Sequence, residues 1–448
     1  MSQMKILFVS LGCDKNLVDT EMMLGVLNEA GYLFTDDENE ANIVIVNSCC
    51  FINDAKEESI QTLLEMEEKR LSGKLEALVV TGCLAERYKE EILTEIPGID
   101  AVLGTTATAS IATCLEHVLK GEKGGYFEDL NQIPYISKNR QITTGGHFAY
   151  LRIAEGCDKH CTYCIIPSVR GRYRSIPKEE ILEEARRVVE NGVKELILVA
   201  QETTLYGQDI YGKKSLHILL KELCKIEELR WIRILYCYPE AIEDELIQVM
   251  KEEDKICNYL DLPIQHASDE ILKKMGRRTN QAEIRNIVMK LRKEIPDICI
   301  RTTLISGFPG ETKEDHEILL DFVKEMKFNR LGVFTYSMEE DTKAATFPNQ
   351  ISEEVKEKRR DELMILQQKI AFEHAEKMIG KVVDVMIEGK VADECAYVTR
   401  TYQDAPNVDG YLFLQTDKEL MSGDFVCSKV TSSYEYDLIG EMSDEFTK

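Results

Sequence analysis

The sequence predicts an α/β protein built in three parts. These are an N-terminal parallel-sheet α/β domain over 1–120, a central partial (β/α)6 barrel over 147–378 and a C-terminal antiparallel β-barrel over 379–448, with a linker at 121–146. Three observations carry the prediction. Short β-branched runs alternate with helical segments through the first part, as in parallel sheets covered by helices. The alternation stops and then resumes after Phe148. From Lys381 the chain changes to short β-type runs separated by Gly and Asp turns, the pattern of a small barrel.

Size and composition agree. At 448 residues the chain is too long for one ordinary core, and 44% hydrophobic with 30% charged residues is a globular composition. No run of about 18 apolar residues occurs and no signal-peptide pattern opens the chain. The expected location is therefore cytoplasmic, with no membrane partner. Fourteen cysteines in so long a chain point to metal binding or catalysis rather than to a disulfide framework. A net charge of −25 repels phosphate backbones and attracts basic partners.

In the first part, Lys5–Leu11, Asn42–Asn47, Leu78–Thr81 and Ala101–Gly104 read as strands. Helical segments follow them at Val18–Ala30, ended by Gly31, then at 54–71, 85–95 and 107–120. Cys13, Cys49 and Cys83 follow the first, second and third strands, introduced by Leu-Gly, Asn-Ser and Thr-Gly. Open α/β sheets build ligand sites at the carboxyl ends of their strands. Three distant thiols thus arrive on one edge, consistent with an iron–sulfur cluster that keeps an open iron. Cys50 is a rival to Cys49, and coincidence among many cysteines is the bland alternative.

The second cysteine group is Gly156-Cys157-Asp158-Lys159-His160-Cys161-Thr162-Tyr163-Cys164, directly after the strand Phe148–Ala154. Its C-x3-C-x2-C spacing can turn three sulfurs toward one point. Iron–sulfur clusters are commonly held by four thiolates, so three would leave one iron of a 4Fe–4S cluster free. Structural zinc sites prefer paired C-x2-C ligands and a closed shell of four, and no second pair follows here. Unliganded core thiols are the third reading. The scattered cysteines, among them Cys114, Cys224, Cys237, Cys257, Cys299, Cys395 and Cys427, read as core thiols.

Further strands are expected at Leu196–Ala200, Trp231–Leu235, Tyr259–Pro263, Ile298–Ile305 and Leu331–Tyr336, completing six strand–helix units. The loops after them carry Gln201-Glu202-Thr203, Leu262-Pro263-Ile264-Gln265-His266 and Ser306-Gly307-Phe308-Pro309-Gly310-Glu311. Gly307 and Gly310 would let the backbone approach a ligand closely, although ordinary loops have the same composition. A charged helix from Ser352 to about Ile379 leads to strands at Lys381–Ile387, Ala396–Thr401, Gly410–Leu414 and Asp424–Ser432. This last part is acidic, and Asp393, Glu394, Asp404 and Asp409 are expected on a face that attracts a basic partner; a solvated surface is the plainer meaning.

The Cys157, Cys161 and Cys164 spacing resembles the signature of radical S-adenosylmethionine (SAM) enzymes. With Leu11-Gly12-Cys13, Asn47-Ser48-Cys49 and Thr81-Gly82-Cys83, essentially the whole chain resembles the methylthiotransferases of that class. The resemblance implies a radical-SAM barrel followed by a TRAM barrel, and two 4Fe–4S clusters. Cys157, Cys161 and Cys164 would hold one cluster, whose free iron binds SAM, and Cys13, Cys49 and Cys83 the other. Tyr163, Gln201, Gln265, Ser306, Gly307 and Gly310 would lie around SAM. One SAM would donate a methyl group, and another would yield the 5′-deoxyadenosyl radical that activates a C–H bond.

Gly12-Cys13-Asp14-Lys15-Asn16-Leu17-Val18-Asp19, Leu262 to Ser268 and Phe334 to Glu340 are similar to one branch of the family. That branch modifies the β-carbon of an aspartate in small-subunit ribosomal protein S-twelve. Cys50, where the pattern has a small residue, and Asp341, where it has Gly, depart from it. The implied partners are this ribosomal protein, an electron donor such as flavodoxin or ferredoxin, and a sulfur donor. The tRNA-adenosine branch is the alternative and would call for a basic TRAM surface. An iron–sulfur electron-transfer protein is a third reading, but its clusters would normally be fully ligated.

Overall fold

Two parallel sheets and one closed barrel organise the chain in the computed structural model, which describes residues 4–392 and 394–443. The N-terminal sheet has six parallel strands in the order Leu33–Phe34, Lys5–Ser10, Ile43–Ser48, Ala77–Gly82, Ala101–Leu103, Gly124–Tyr126. Its central strands are continuous apolar runs because both faces are covered. Val44, Val46, Leu78 and Val80 feed one core, and Ile43, Ile45, Ala77 and Val79 the other. The sequence marks four of the six strands. Leu33–Phe34 and Gly124–Tyr126 are edge strands of two and three residues, too short for a periodic signal, and the second lies in the stretch expected as linker.

The first helix also departs from expectation. It runs Asp14–Glu29 and begins four residues early, because Lys15, Asn16, Asp19, Thr20 and Glu21 are buried together with Val18 and Met22. A helix enclosed on all sides shows no apolar stripe. It lies between the N-terminal sheet and the central domain. Arg152 and Arg170 of the central domain grip Asp19, and Arg140 bridges Glu21 to Glu184. Residues 137–143 are laid along the same helix: Gly25 is so close to Asn139 that a Cβ there would sit 2.6 Å from its carbonyl oxygen.

The central sheet has six parallel strands in the order Arg330–Thr335, Cys299–Ser306, Ile256–Asp261, Trp231–Ile234, Glu195–Val199, Phe148–Arg152. Each strand is laid beside its predecessor, giving the open (β/α)6 arrangement the alternation predicts. The helix Glu353–Glu376 packs along Arg330–Thr335 and leads to the last part. There, five strands close a barrel in the order Val382–Lys390, Ala396–Thr401, Leu412–Gln415, Asp437–Met442, Phe425–Tyr434. The expected all-antiparallel barrel is corrected at one pairing: Leu412–Gln415 and Asp437–Met442 run parallel. The fifth strand, absent from the sequence reading, closes the edge that would otherwise be open. Among the described residues no helix is long and apolar enough to cross a membrane.

The acidic face expected on this barrel is partly an interior seam. Asp404 is 2% exposed, pairs with Arg330 and accepts from Thr401 Oγ1. Asp409 accepts a hydrogen bond of 2.8 Å from Tyr259 Oη and lies 4.0 Å from Arg330. Both hold the barrel to the central domain, so neither is available to a partner. Glu394 is exposed, and Asp393 lies outside the described residues.

Candidate functional site

The barrel cysteines sit on a loop fixed at several points by its backbone. Gly156 has φ +79°, and a Cβ on it would lie 2.0 Å from the Arg172 carbonyl oxygen, so only glycine fits. Cys157 N–H donates to Gly171 O at 3.1 Å, Thr162 N–H to Met275 O at 2.9 Å and Ala344 N–H to Thr162 O at 2.7 Å. Cys157 and Cys161 are buried and Cys164 partly so. Burial pushes the thiols of Cys157 and Cys164 up to about 12. Lys159 N–H points at the Cys157 sulfur at 3.4 Å, a donor suited to a thiolate.

Polar groups without partners surround this loop. Arg277 is buried over the Tyr238 ring, 4.3 Å from its centroid, and donates to Pro263 O through Nη2. Among the described residues its Nε and Nη1 have no hydrogen-bond partner, nor has Gln201 Oε1. Glu202 is fully buried 3.6 Å from Lys159, and burial pushes its carboxyl up to about 7 against the pull of that lysine. Buried polar groups are normally satisfied, so these atoms beside three thiols fit a charged bound group. No group of three or more His, Cys, Asp and Glu side chains among the described residues is arranged to hold a single metal ion. Three thiolates fall short of the closed shell of four that structural zinc takes, and three are what a 4Fe–4S cluster with one open iron would need.

The other expected cofactor residues divide. Tyr163 lies in the loop, edge-on to Phe308 at 6.4 Å, and Gln201 donates to Glu155. Gln265 is partly exposed with φ +70° and continues the sheet through Thr303 O and Ile305 N. Gly310, φ +76°, lies beside Lys274, which donates to its carbonyl at 3.2 Å. Ser306 and Gly307 touch the helix Glu353–Glu376. The Ser306 hydroxyl donates to Lys356 O at 3.0 Å, and a Cβ on Gly307 would lie 2.2 Å from Lys356 Cγ. These two residues pack the loop against the helix Glu353–Glu376. Arg277 is the neighbour that sequence reasoning missed, because its burial depends on Tyr238 and Pro263, which lie elsewhere in the chain.

His266 next door is fully buried and accepts from Ser268 N–H at 2.9 Å through Nδ1. Burial lowers its pKa to about 3. Between about pH 6.5 and 3 the unfolded chain therefore binds a proton that the folded chain refuses, and stability falls as pH falls, by up to about 1.4 kcal/mol per pH unit. Replacing His266→Asn should flatten the pH dependence of the denaturant midpoint across that window. An unchanged slope would remove His266 as its source.

The N-terminal cysteines converge from three strand ends. Cys13 caps the helix Asp14–Glu29 and is exposed. Gly12, φ +90°, is pressed onto Cys49: a Cβ there would lie 2.9 Å from the Cys49 sulfur. Cys49 is pinned by Ser59, whose hydroxyl accepts from its N–H at 2.9 Å and donates to its carbonyl at 3.0 Å. Cys83 opens the helix Cys83–Tyr88, and burial pushes its thiol up against the pull of Arg170.

Asn16 is the hub. Its Nδ2 donates to Leu11 O and Ser48 O, both at 3.0 Å, tying together the ends of two strands, and its Oδ1 lies 3.7 Å from the Cys83 sulfur. The same Oδ1 accepts from Arg170 Nη2 at 2.5 Å. Arg170 ends the helix Ile166–Arg170, which begins two residues past Cys164. One short helix therefore joins the two cysteine groups.

Cys50, the rival ligand, lies in the same apolar core as Cys83 and has Arg87 beside it. It is 1% exposed in the apolar core, and burial pushes its thiol up to about 11 against the pull of Arg87. Cys50→Ala should cost about 1 kcal/mol of stability and leave the bound iron unchanged in an anaerobic iron assay. Loss of iron would transfer the ligand role from Cys49.

Family models match three successive stretches: an uncharacterized protein family, UPF0004, over 5–104, the radical SAM superfamily over 151–323 and a TRAM domain over 379–442. The ribosomal protein uS12 methylthiotransferase RimO of Lachnoclostridium phytofermentans is 61% identical, over 98% of this chain and 99% of its own. That of Clostridioides difficile is 49% identical, over 98% of this chain and 99% of its own. Among solved structures, the radical S-adenosylmethionine methyltransferase TsrM from Kitasatospora setae, with a tryptophan substrate and a SAM analogue bound, shares the fold. Its TM-score is 0.55 at 14% identity, covering 88% of this chain and 79% of that one. With such identity over almost the whole of both chains, the protein belongs to the RimO methylthiotransferase family.

Proposed function

We propose that this chain is a cytoplasmic radical SAM enzyme that adds a methylthio group to the β-carbon of an aspartate in ribosomal protein uS12. The observation that carries the reading is the joining of two cysteine triads through Arg170, in a chain 61% identical to a uS12 methylthiotransferase. The cofactors implied are SAM and two 4Fe–4S clusters, which when bound supply one-electron cleavage of SAM at one site and a sulfur to be methylated and transferred at the other.

The chain's own residues have separate tasks. Cys157, Cys161 and Cys164 would act as thiolate ligands, and three rather than four leave a position for SAM. Cys13, Cys49 and Cys83 would do the same on the N-terminal sheet. Lys159 N–H stabilises the Cys157 thiolate. The unpartnered Nε and Nη1 of Arg277 could donate to a carboxylate of SAM, and Gln201 Oε1 would accept from its ammonium group. Tyr163, Gln265 and Gly310 would lie around SAM. Ser306 and Gly307 shape the site indirectly, through Lys356. Arg277 and Ser306 are buried, which keeps water from this side of the site.

A net charge of −25 suits a basic ribosomal protein and opposes RNA. An electron donor such as flavodoxin or ferredoxin and a sulfur donor complete the partners. The test is mass spectrometry of uS12 and of tRNA nucleosides from cells with and without this protein. A methylthio group on one uS12 aspartate, only when the protein is present, is expected. Its appearance on tRNA adenosine alone would overturn the assignment.

A further inference from the structure

A cleft of about 550 Å³ opens on the outer side of the barrel's cysteine loop. His160, Thr162, Lys273, Lys274, Lys343 and Phe347 line it. One lining acid, Glu270, stands against three lysines, in a chain whose net charge is −25. Lys273 and Lys343 are exposed, and among the described residues neither forms an ion pair.

The floor of the cleft is the cysteine loop itself. A Cβ on Gly276 would lie 2.9 Å from the His160 carbonyl oxygen and 3.7 Å from Cys161 Cα. Thr162, between Cys161 and Tyr163, is held there by Met275 O and Ala344 N. From the wall, the Phe347 ring packs edge-on to Phe308 at 6.2 Å, and Phe308 edge-on to Tyr163 at 6.4 Å. A molecule seated in this cleft is therefore separated from Cys161 by little more than the loop's own backbone, through densely packed protein.

We propose that the cleft is the docking site of an acidic one-electron carrier protein, and this inference rests on the radical SAM reading above. One electron leaves the carrier's reduced flavin or iron–sulfur centre and is taken up at the site of Cys157, Cys161 and Cys164. The carrier departs oxidised by one electron, and no proton or group moves with it. Electron-transfer encounters need only a small contact area, and a local basic patch on an acidic protein selects and steers an acidic partner. A nucleic acid would meet the same lysines, but it gains nothing from lying against the cysteine loop.

The test titrates the iron-reconstituted protein with reduced flavodoxin at low and at high salt. The double variant Lys273→Glu with Lys343→Glu is compared with a control pair, Lys369→Glu with Lys381→Glu. The cleft variant should bind roughly tenfold more weakly at low salt and lose most of the salt dependence, while the control pair binds like the parent. SAM cleavage driven by dithionite should be equal in all three proteins. Equal affinity and equal salt dependence in both variants, or no binding by the parent, would overturn the proposal. Binding of a ribosomal RNA fragment through the same two lysines, without flavodoxin binding, would also overturn it and assign the cleft to nucleic acid. Failure of dithionite-driven SAM cleavage in the parent would instead overturn the radical SAM reading.

Discussion

Replacing Cys13, Cys49 and Cys83 together by Ala is expected to abolish the methylthio product while reductive cleavage of SAM continues. The barrel loop is anchored by Gly171, Met275 and Ala344, and none of these contacts involves an N-terminal thiol. Removing the three sulfurs leaves Asn16 and Arg170 in place, so the helix after Cys164 keeps its support. Iron should fall by about half, on the basis of four irons per cubane at each of two sites. Replacing Cys157, Cys161 and Cys164 should remove the other half and stop SAM cleavage as well. Product and 5′-deoxyadenosine, measured in the same reaction, separate the two roles. Loss of 5′-deoxyadenosine in the folded N-terminal triple variant would refute the division of labour.

Arg170→Gln should behave differently from either triple variant. Arg170 touches Asn16 and Asp19 on one side and closes the helix that trails the barrel cysteines on the other. Its loss should weaken both activities together.

The largest expected effect on stability comes from Glu195→Leu. Glu195 is fully buried between the guanidiniums of Arg233, at 2.7 Å, and Arg400, at 2.6 Å. Arg400 comes from the C-terminal barrel and also holds Glu388 and the Asp404 carbonyl, while Arg233 reaches the Tyr402 carbonyl. Removing the carboxylate leaves two buried cations facing each other without their shared anion. Breaking a buried pair in this way costs about 3–5 kcal/mol, which a urea titration reads as a lowered midpoint. A change below about 1 kcal/mol would mean that water enters the seam and solvates both arginines.

The two cysteine groups and the order of the three parts are legible in the residue pattern alone. Strand periodicity placed Cys13, Cys49 and Cys83 each at the end of a strand, and C-x3-C-x2-C spacing marked the barrel loop. Those signals are local, since a strand needs only its own few residues to show that it is buried. Features that depend on partners far along the chain emerge with folding. Asp404 and Asp409 read as solvated acids until Arg330 and Tyr259 close over them. Asp14, Lys15 and Asn16 read as a loop until the central domain buries the helix they begin, and adjacent Cys49 and Cys50 look alike until Gly12 presses on one and Arg87 lies beside the other. A charged side chain is stable in water or against an opposite charge, and its place in the sequence does not say which. The partner that settles the matter is supplied by the fold.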